Sequence, residues 1–298
     1  VRAQDLFFDL LKERAETGRI YIMNIDHCNT HSSFKDKVSM SNLCQEITLP
    51  TTPIQHIDDE KGEIALCILS AINVGALNDL SELENLCDIS VRALDEIIDY
   101  QRYPVKAAEV STKARRSLGI GYIGLAHYLA KQGVKYSDPK AWELVDRLSE
   151  AFQYNLLRAS CDIAKEKGKC TAFDKTKYAD GLLPIDHYKK EVDKIIPHKQ
   201  RMAWESLRKD IAKYGLRNST LSSQMPSESS SVVSNETNGI EPPRALLSIK
   251  KSKKGPLKQI APGFPKLKND YTLLWDMPSN EGYINIVAVM QKYFDQAI

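Results

Sequence analysis

Three short segments carry side chains able to do chemistry. Near the N-terminal end, Asn42, Cys44 and Glu46 alternate with Leu43, Gln45 and Ile47, so an extended backbone would project an amide, a thiol and a carboxylate from one face. Such a row has a use: the thiol does sulfur chemistry, the carboxylate takes a proton from a substrate hydroxyl, and the amide orients a neighbouring hydroxyl. The same spacing also describes a solvent-facing edge strand with an incidental cysteine, and spacing alone favours that plainer account. The second segment is Met225-Pro-Ser-Glu-Ser-Ser-Ser, ending at Ser231. If a helix starts there, its hydroxyls and backbone N–H groups converge on an anion, whereas capping statistics alone accept an ordinary serine-rich helix start. The third is Cys67 within Ile64-Ala-Leu-Cys-Ile-Leu-Ser, whose apolar flanks make a buried, inert thiol the default.

Other patterns carry less. Gly119, Gly121 and Gly124 spell a dinucleotide fingerprint, but that motif needs an apolar strand before it, and here Lys113-Ala-Arg-Arg-Ser precedes. Close backbone packing is the better account. Asp26, His27, Cys28 and His31 lack the paired spacing of a zinc site, and Lys250, Lys251, Lys253 and Lys254 read as a solvated hairpin tip. Cys87 and Cys161 fall on apolar helix stripes, and nothing near Cys170 would activate it.

The elements that position these segments alternate in type. Leu6, Phe7, Leu10 and Leu11 make one stripe of a helix over Ala3–Thr17, stopped by Gly18, and Arg19–Ile25 then turns β-rich. A capping box of Ser81 and Glu84 opens a helix carrying Leu83, Leu86, Ile89, Ala93, Leu94, Ile97 and Ile98 that ends before Pro104. Asp138 and Pro139 open another, which buries Leu144, Val145, Leu148, Phe152 and Leu156 and ends at Gly168. Between them lie β-type runs at Asn42–Leu49 and Ile64–Asn73, with weaker ones near Ile120 and Leu221. Glu241–Arg244 and Gly255–Pro265 read as ordered loops, and the chain stops at Ile298 inside an amphipathic helix, as a piece of something longer would. Strands interleaved with helices predict an α/β fold.

Composition sets outer limits. A chain of 298 residues, 42% hydrophobic and 27% charged, can bury a sizeable core. Its 41 basic and 39 acidic residues are well mixed, so no overall field draws it to nucleic acid or an anionic membrane. Six irregularly spaced cysteines without a CxxC pair do not make a secreted disulfide framework, which points to the cytoplasm, and no apolar run is long enough to span a bilayer.

Taken together, the segments resemble the large subunit of class I ribonucleotide reductases, almost from end to end. The resemblance is carried by NIDHCNTHS from Asn24, SNLCQEITLPT from Ser41, GEIALC from Gly62, LRNSTLSSQMPSESSS from Leu216 and SNETNGIEPPR from Ser234. It implies that residues 1–298 supply the later part of a ten-stranded α/β barrel whose central finger loop holds a radical cysteine. By position, Cys44 resembles the transient thiyl radical that removes the ribose 3′ hydrogen, Glu46 the base on the 3′-hydroxyl, and Asn42 a hydrogen-bonding partner of the sugar. Cys67 resembles one of two reducing thiols, the other lying upstream of this region. Leu43 and Gln45 would join substrate contacts, and Pro226, Ser227, Glu228, Ser229 and Ser230 resemble the substrate diphosphate loop, with Ser229 where relatives often carry Thr. The resemblance further implies a ribonucleoside diphosphate substrate and no cofactor or metal on this chain. The radical would come from an iron-containing small subunit, electrons from thioredoxin or glutaredoxin, and ATP or dNTP effectors would bind segments outside this sequence. It implies assembly with those remaining segments and a homodimer, too. Nothing here resembles the ATP-cone, the effector loops, the radical-relay tyrosines or the C-terminal shuttle cysteines. A glycyl-radical reductase would need a glycyl segment and metal-binding cysteines, while a subunit that only binds nucleotide or other subunits would not need the Asn42, Cys44, Glu46 and Cys67 set.

Overall fold

The centre of the fold is a parallel pair, β1 (Leu69–Asn73) and β2 (Gly119–Ile123), in the computed structural model, which describes residues 1–66, 68–252 and 255–298. The glycines of β2 let neighbours close in. A Cβ at Gly119 would lie 2.7 Å from the Ser223 Oγ, and one at Gly121 only 2.5 Å from the Ser223 carbonyl oxygen. Close packing, not a nucleotide, therefore accounts for the glycine motif. On this side of β2 the extended run 220–224 continues the ladder, with the Leu118 and Ile120 N–H groups donating to the Thr220 and Leu221 carbonyls and Ser223 returning a bond to Ile120. Beyond it lies the C-terminal strap, residues 295–297: Gln296 N–H donates to the Ser222 carbonyl and Ala297 N–H to that of Glu46.

Helices cover this wall. The chain opens with α1 (Ala3–Thr17) and α2 (Ile25–His31), then after β1 forms α3 (Glu82–Tyr100) and α4 (Lys106–Arg115). Following β2 come α5 (Leu125–Lys131), the central α6 (Pro139–Lys167), α7 (Pro184–His187), α8 (Trp204–Tyr214) and α9 (Glu228–Val233). A hairpin of β3 (Leu247–Ser252) and β4 (Gly255–Ile260) and a last helix, α10 (Glu281–Gln291), complete the order. Leu83, Cys87, Val91, Leu94 and Ile98 recur at helical spacing and bury α3 against α6. Pro139 begins α6 and Gly168 ends it, as the sequence predicts. Phe152 of α6 stacks on Phe294 at 5.5 Å between ring centres, and Tyr122 of β2 meets both rings edge-on. Buried ion pairs lock the same region: Lys292 is fully enclosed with its Nζ 3.1 Å from Asp146, which also accepts from Arg201.

The mixed α/β class holds, and among the described residues the strands form two two-stranded sheets without a closed ring. Several local expectations change. Arg19–Asn24 forms no strand, because no neighbouring segment offers it a ladder among the described residues, and the chain passes directly into α2. The α3 start is right but its cap is not: Ser81 already has helical dihedrals, so Asp79 and Glu82 cap instead, accepting from the Ser81 and the Asn78 and Asp79 amides. Among the described residues of the Ile64–Asn73 run, the strand is the part from Leu69. Gly255–Ile260 is paired as β4, not loop, and only the residues after it turn. The last helix ends at Gln291, after which polar Asp295 and Gln296 turn inward as the strap. Lys253 and Lys254 lie outside the described residues. No helix among the described residues is long and apolar enough to cross a membrane.

Candidate functional site

Asn42–Leu49 is not the expected strand. Asn42 folds the chain back on itself: its carbonyl accepts from Gln45 N–H at 3.2 Å and its side-chain oxygen from Ile47 N–H at 3.1 Å. Gln45 takes a left-handed conformation, φ 65°, and that one positive φ makes a tight turn of Leu43–Gln45. The alternation is thereby broken, so the amide, thiol and carboxylate do not share one face. Leu43 and Cys44 stand exposed at the tip, while Glu46 is buried. Below the turn Ile47 and Leu49 pack with Phe34 in a small apolar cluster that anchors its stem.

The second segment matches the sequence reading more closely. A helix, α9, begins after Ser227. Ser227 does not cap it, however. Its hydroxyl donates to Asn238 Oδ1 at 3.2 Å and accepts from Gly239 N–H at 3.0 Å, which ties the loop to the Asn238–Gly239 corner. Pro226, Glu228, Ser229 and Ser230 are exposed, and the first-turn amides of Ser229 and Ser230 have no acceptor within their own helix.

Turn and loop meet at one cavity of about 590 Å³, lined by Cys44 from the turn and by Pro226, Ser227 and Glu228 from the loop. The remaining turn residues face elsewhere. Asn42 lines a separate, largely apolar cavity of about 390 Å³, and Gln45 lines a third of about 320 Å³ bounded by α2 and the strap. Glu46 borders none of these; its Oε2 is enclosed and without a hydrogen-bond partner. A buried carboxylate oxygen in that condition is costly unless something completes it. Cys67 lies outside the described residues.

The other reactive-looking groups are occupied. His31 Nε2 sits 2.6 Å from the Phe294 carbonyl oxygen, and His27 accepts from Lys189. Burial pushes the thiols of Cys161 and Cys170 up, to about 11 and about 12, keeping them protonated and inert. Burial likewise raises the Asp295 carboxyl, although Tyr178, Ser222 and the Leu221 amide all donate to it.

Sequence reasoning missed two parts of this site. Asn238 and Glu241 line the shared cavity with Tyr283 of α10, and the Asn238–Gly239 turn signal marks that corner. The strap was missed as well; a polar pair, Asp295–Gln296, directly after the apolar Tyr293–Phe294 gives no sign in sequence that it is buried.

Comparison with known proteins supplies the context. All of residues 1–298 match the family described as ribonucleotide reductase, barrel domain. The ribonucleoside-diphosphate reductase subunit alpha of Haemophilus influenzae is 58% identical over 301 residues, which takes in 100% of this chain and 40% of that protein. The subunit of the same name in Buchnera aphidicola from Schizaphis graminum is 57% identical over 301 residues, 100% of this chain and 39% of the relative. That of Enterobacteria phage T4 is 41% identical over 304 residues, again 100% of this chain and 40% of the relative. The chain thus spans about two fifths of the length of these relatives. A match of this extent, on a mixed α/β chain, means that the protein belongs to the ribonucleotide reductase barrel-domain family.

Proposed function

We propose that the chain forms the substrate-reducing core of a ribonucleoside-diphosphate reductase large subunit, in which Cys44 is the radical thiol and the Ser227 loop receives the substrate diphosphate. The observation that carries this reading is the single cavity walled by Cys44 on one side and Pro226, Ser227 and Glu228 on the other. Its volume, about 590 Å³, is in the range of a nucleotide-sized ligand site.

In this reading the ribose lies between tip and loop. The Cys44 sulfur, as a thiyl, takes the hydrogen atom from C3′. Glu46 takes the proton of the 3′-hydroxyl; its enclosed Oε2 borders none of the cavities described above, so the role requires the turn to open toward the substrate, whose hydroxyl would then supply the hydrogen bond that this oxygen lacks. Asn42, which already closes the turn through its side-chain oxygen, would use its amide to orient the sugar. The 2′-hydroxyl leaves as water, and two thiols give up two electrons and two protons as they become a disulfide, one of them Cys67 and the other on a segment outside this chain. Cys44 then returns a hydrogen atom to C3′. The diphosphate rests on the first-turn amides and hydroxyls of Ser229 and Ser230, steadied by Pro226, Ser227 and Glu228; contacts from Leu43 and Gln45 would need the turn to shift, since Gln45 lines the separate cavity beside α2.

This assignment makes the iron-containing small subunit the source of the radical and thioredoxin or glutaredoxin the source of electrons. ATP and dNTP effectors, and a homodimer contact, belong to the rest of the subunit. Cys44→Ser in the full-length subunit, assayed with its small subunit, tests the reading. Serine fills the space, but its O–H bond is too strong for the hydrogen transfer, so diphosphate reduction should vanish while substrate binding persists. Turnover near the wild-type rate in that variant would remove Cys44 from the role. Cys67→Ser should bind substrate normally and stop at the reducing step.

A further inference from the structure

We propose that Gln296 is a positioning residue for the reaction, holding the Cys44–Glu46 turn at a fixed distance from the 220–224 run that leads into the Ser227 loop. The inference rests on the reductase reading of that site. Among the described residues no hydrogen bond joins the stem of the turn, residues 46–49, directly to the 220–224 run; both are tied to the strap that lies between them.

Gln296 is the residue that reaches both ways. Its side-chain oxygen accepts from Thr48 N–H at 2.7 Å and from the Thr48 hydroxyl at 3.2 Å. Its amide nitrogen donates to the Thr220 hydroxyl at 3.2 Å, and its own backbone N–H to the Ser222 carbonyl. The next residue repeats the pattern in the backbone, Ala297 donating to the Glu46 carbonyl and accepting from Gln224 N–H. Gln296 is almost fully enclosed, so these bonds are shielded from water and an unmatched end would be left unsatisfied.

The two ends are not equally secured. On the 220–224 side the strap is held independently by Asp295, whose buried carboxylate accepts from the Leu221 and Ser222 amides and from the Ser222 and Tyr178 hydroxyls. On the side of the turn, the strap's hydrogen bonds are the Gln296 side chain and one backbone bond to Glu46. Loss of the Gln296 amide should therefore loosen the turn, leaving it only the Ala297–Glu46 backbone bond and the Phe34 cluster, and keep the run in place. The Ser227 loop, tied to Asn238 and Gly239, should not move.

The test is Gln296→Met in the full-length subunit with its small subunit, Cys44→Ser being assayed in parallel. Methionine keeps the volume and removes both ends of the bridge. The expected result is a kcat lower by roughly 10- to 100-fold, the size of effect that a misplacement of about 1 Å produces, with KM for the diphosphate changed less than about twofold. Thr220→Val removes one end of the bridge together with the hydroxyl's bond to the Asp295 carboxyl, and should lower kcat less and in the same manner, with KM changed little. An unchanged kcat in folded Gln296→Met, or a rise in KM as large as the fall in kcat, overturns the proposal. If Gln296→Met does not fold, Thr220→Val decides by the same criteria. Failure of the underlying reading is separate: there Cys44→Ser itself would turn over.

Discussion

The Cys44 turn and the Ser227 loop face each other across one cavity, yet they are held in opposite ways. The loop is fixed by near neighbours in sequence, Ser227 bonding to Asn238 and Gly239 and Ser231 N–H returning to the Ser227 carbonyl. The turn closes on itself through Asn42, but its stem depends on Gln296 and Ala297, on the far end of the chain. The difference suggests a division of labour. A binding loop must present donors in one rigid array, which local bonds achieve; a reacting thiol and base must be placed against something else, which only distant segments can do.

The widest separation between the two halves should come from Glu46→Gln set against Ser227→Ala. On the proposed reading, removing the carboxylate of Glu46 deletes the proton acceptor and leaves the loop untouched, so kcat should fall by about 10²- to 10⁴-fold with little change in KM. Ser227→Ala leaves the Gly239 N–H without its acceptor and loosens the corner, which costs roughly 1–2 kcal/mol. That is about a tenfold rise in KM, with kcat changed far less. Steady-state kinetics on both variants would check the division, and a fall in kcat on the loop side equal to that for Glu46→Gln would erase it.

The same contrast explains what was legible in the sequence. The helix after Ser227 is written in adjacent residues, as are the Asp138–Pro139 start and Gly168 end of α6. The turn is not, because its shape hangs on a left-handed Gln45 where no glycine or asparagine signals it. Alternation of Asn42, Cys44 and Glu46 therefore read as a strand. The 220–224 run was only faintly visible: Thr220, Ser222 and Ser223 are all buried, and the partners that satisfy the Ser222 and Thr220 hydroxyls, Asp295 and Gln296, lie far off in sequence.

Acid should act on the turn before the loop. Burial, with His31 and Lys177 nearby, lowers His187 to about 4, and burial also lowers His31, whose ring bonds the Phe294 carbonyl just ahead of the strap. A histidine held below its unfolded value of 6.5 binds its proton more readily in the unfolded chain. The stability it allows is complete above about pH 6.5 and is lost as pH falls toward about 4. Asp186, beside His187, opposes that shift only partly. His187→Phe should reduce the acid-induced loss of unfolding free energy between those limits by at most about 3 kcal/mol, read from urea unfolding across that pH range. An unchanged slope would show that these rings do not load the strap.

The smallest effect isolates the strain in the turn itself. Gln45 holds its left-handed φ at a cost of about 1 kcal/mol or somewhat more, whereas residues 226–230 have no positive φ. Glycine at position 45 removes that steric cost but adds freedom to the unfolded chain, worth about 0.5–1 kcal/mol in the other direction. The two nearly cancel, so Gln45→Gly should raise the urea midpoint by no more than about 0.5 kcal/mol of stability. Gln45→Val should lower it by more than about 1 kcal/mol, because a β-branched side chain fits that conformation worst. If valine is tolerated as well as glycine, the left-handed residue is not what bends the chain here, and the exposed position of Cys44 must come from the Asn42 hydrogen bonds and the strap.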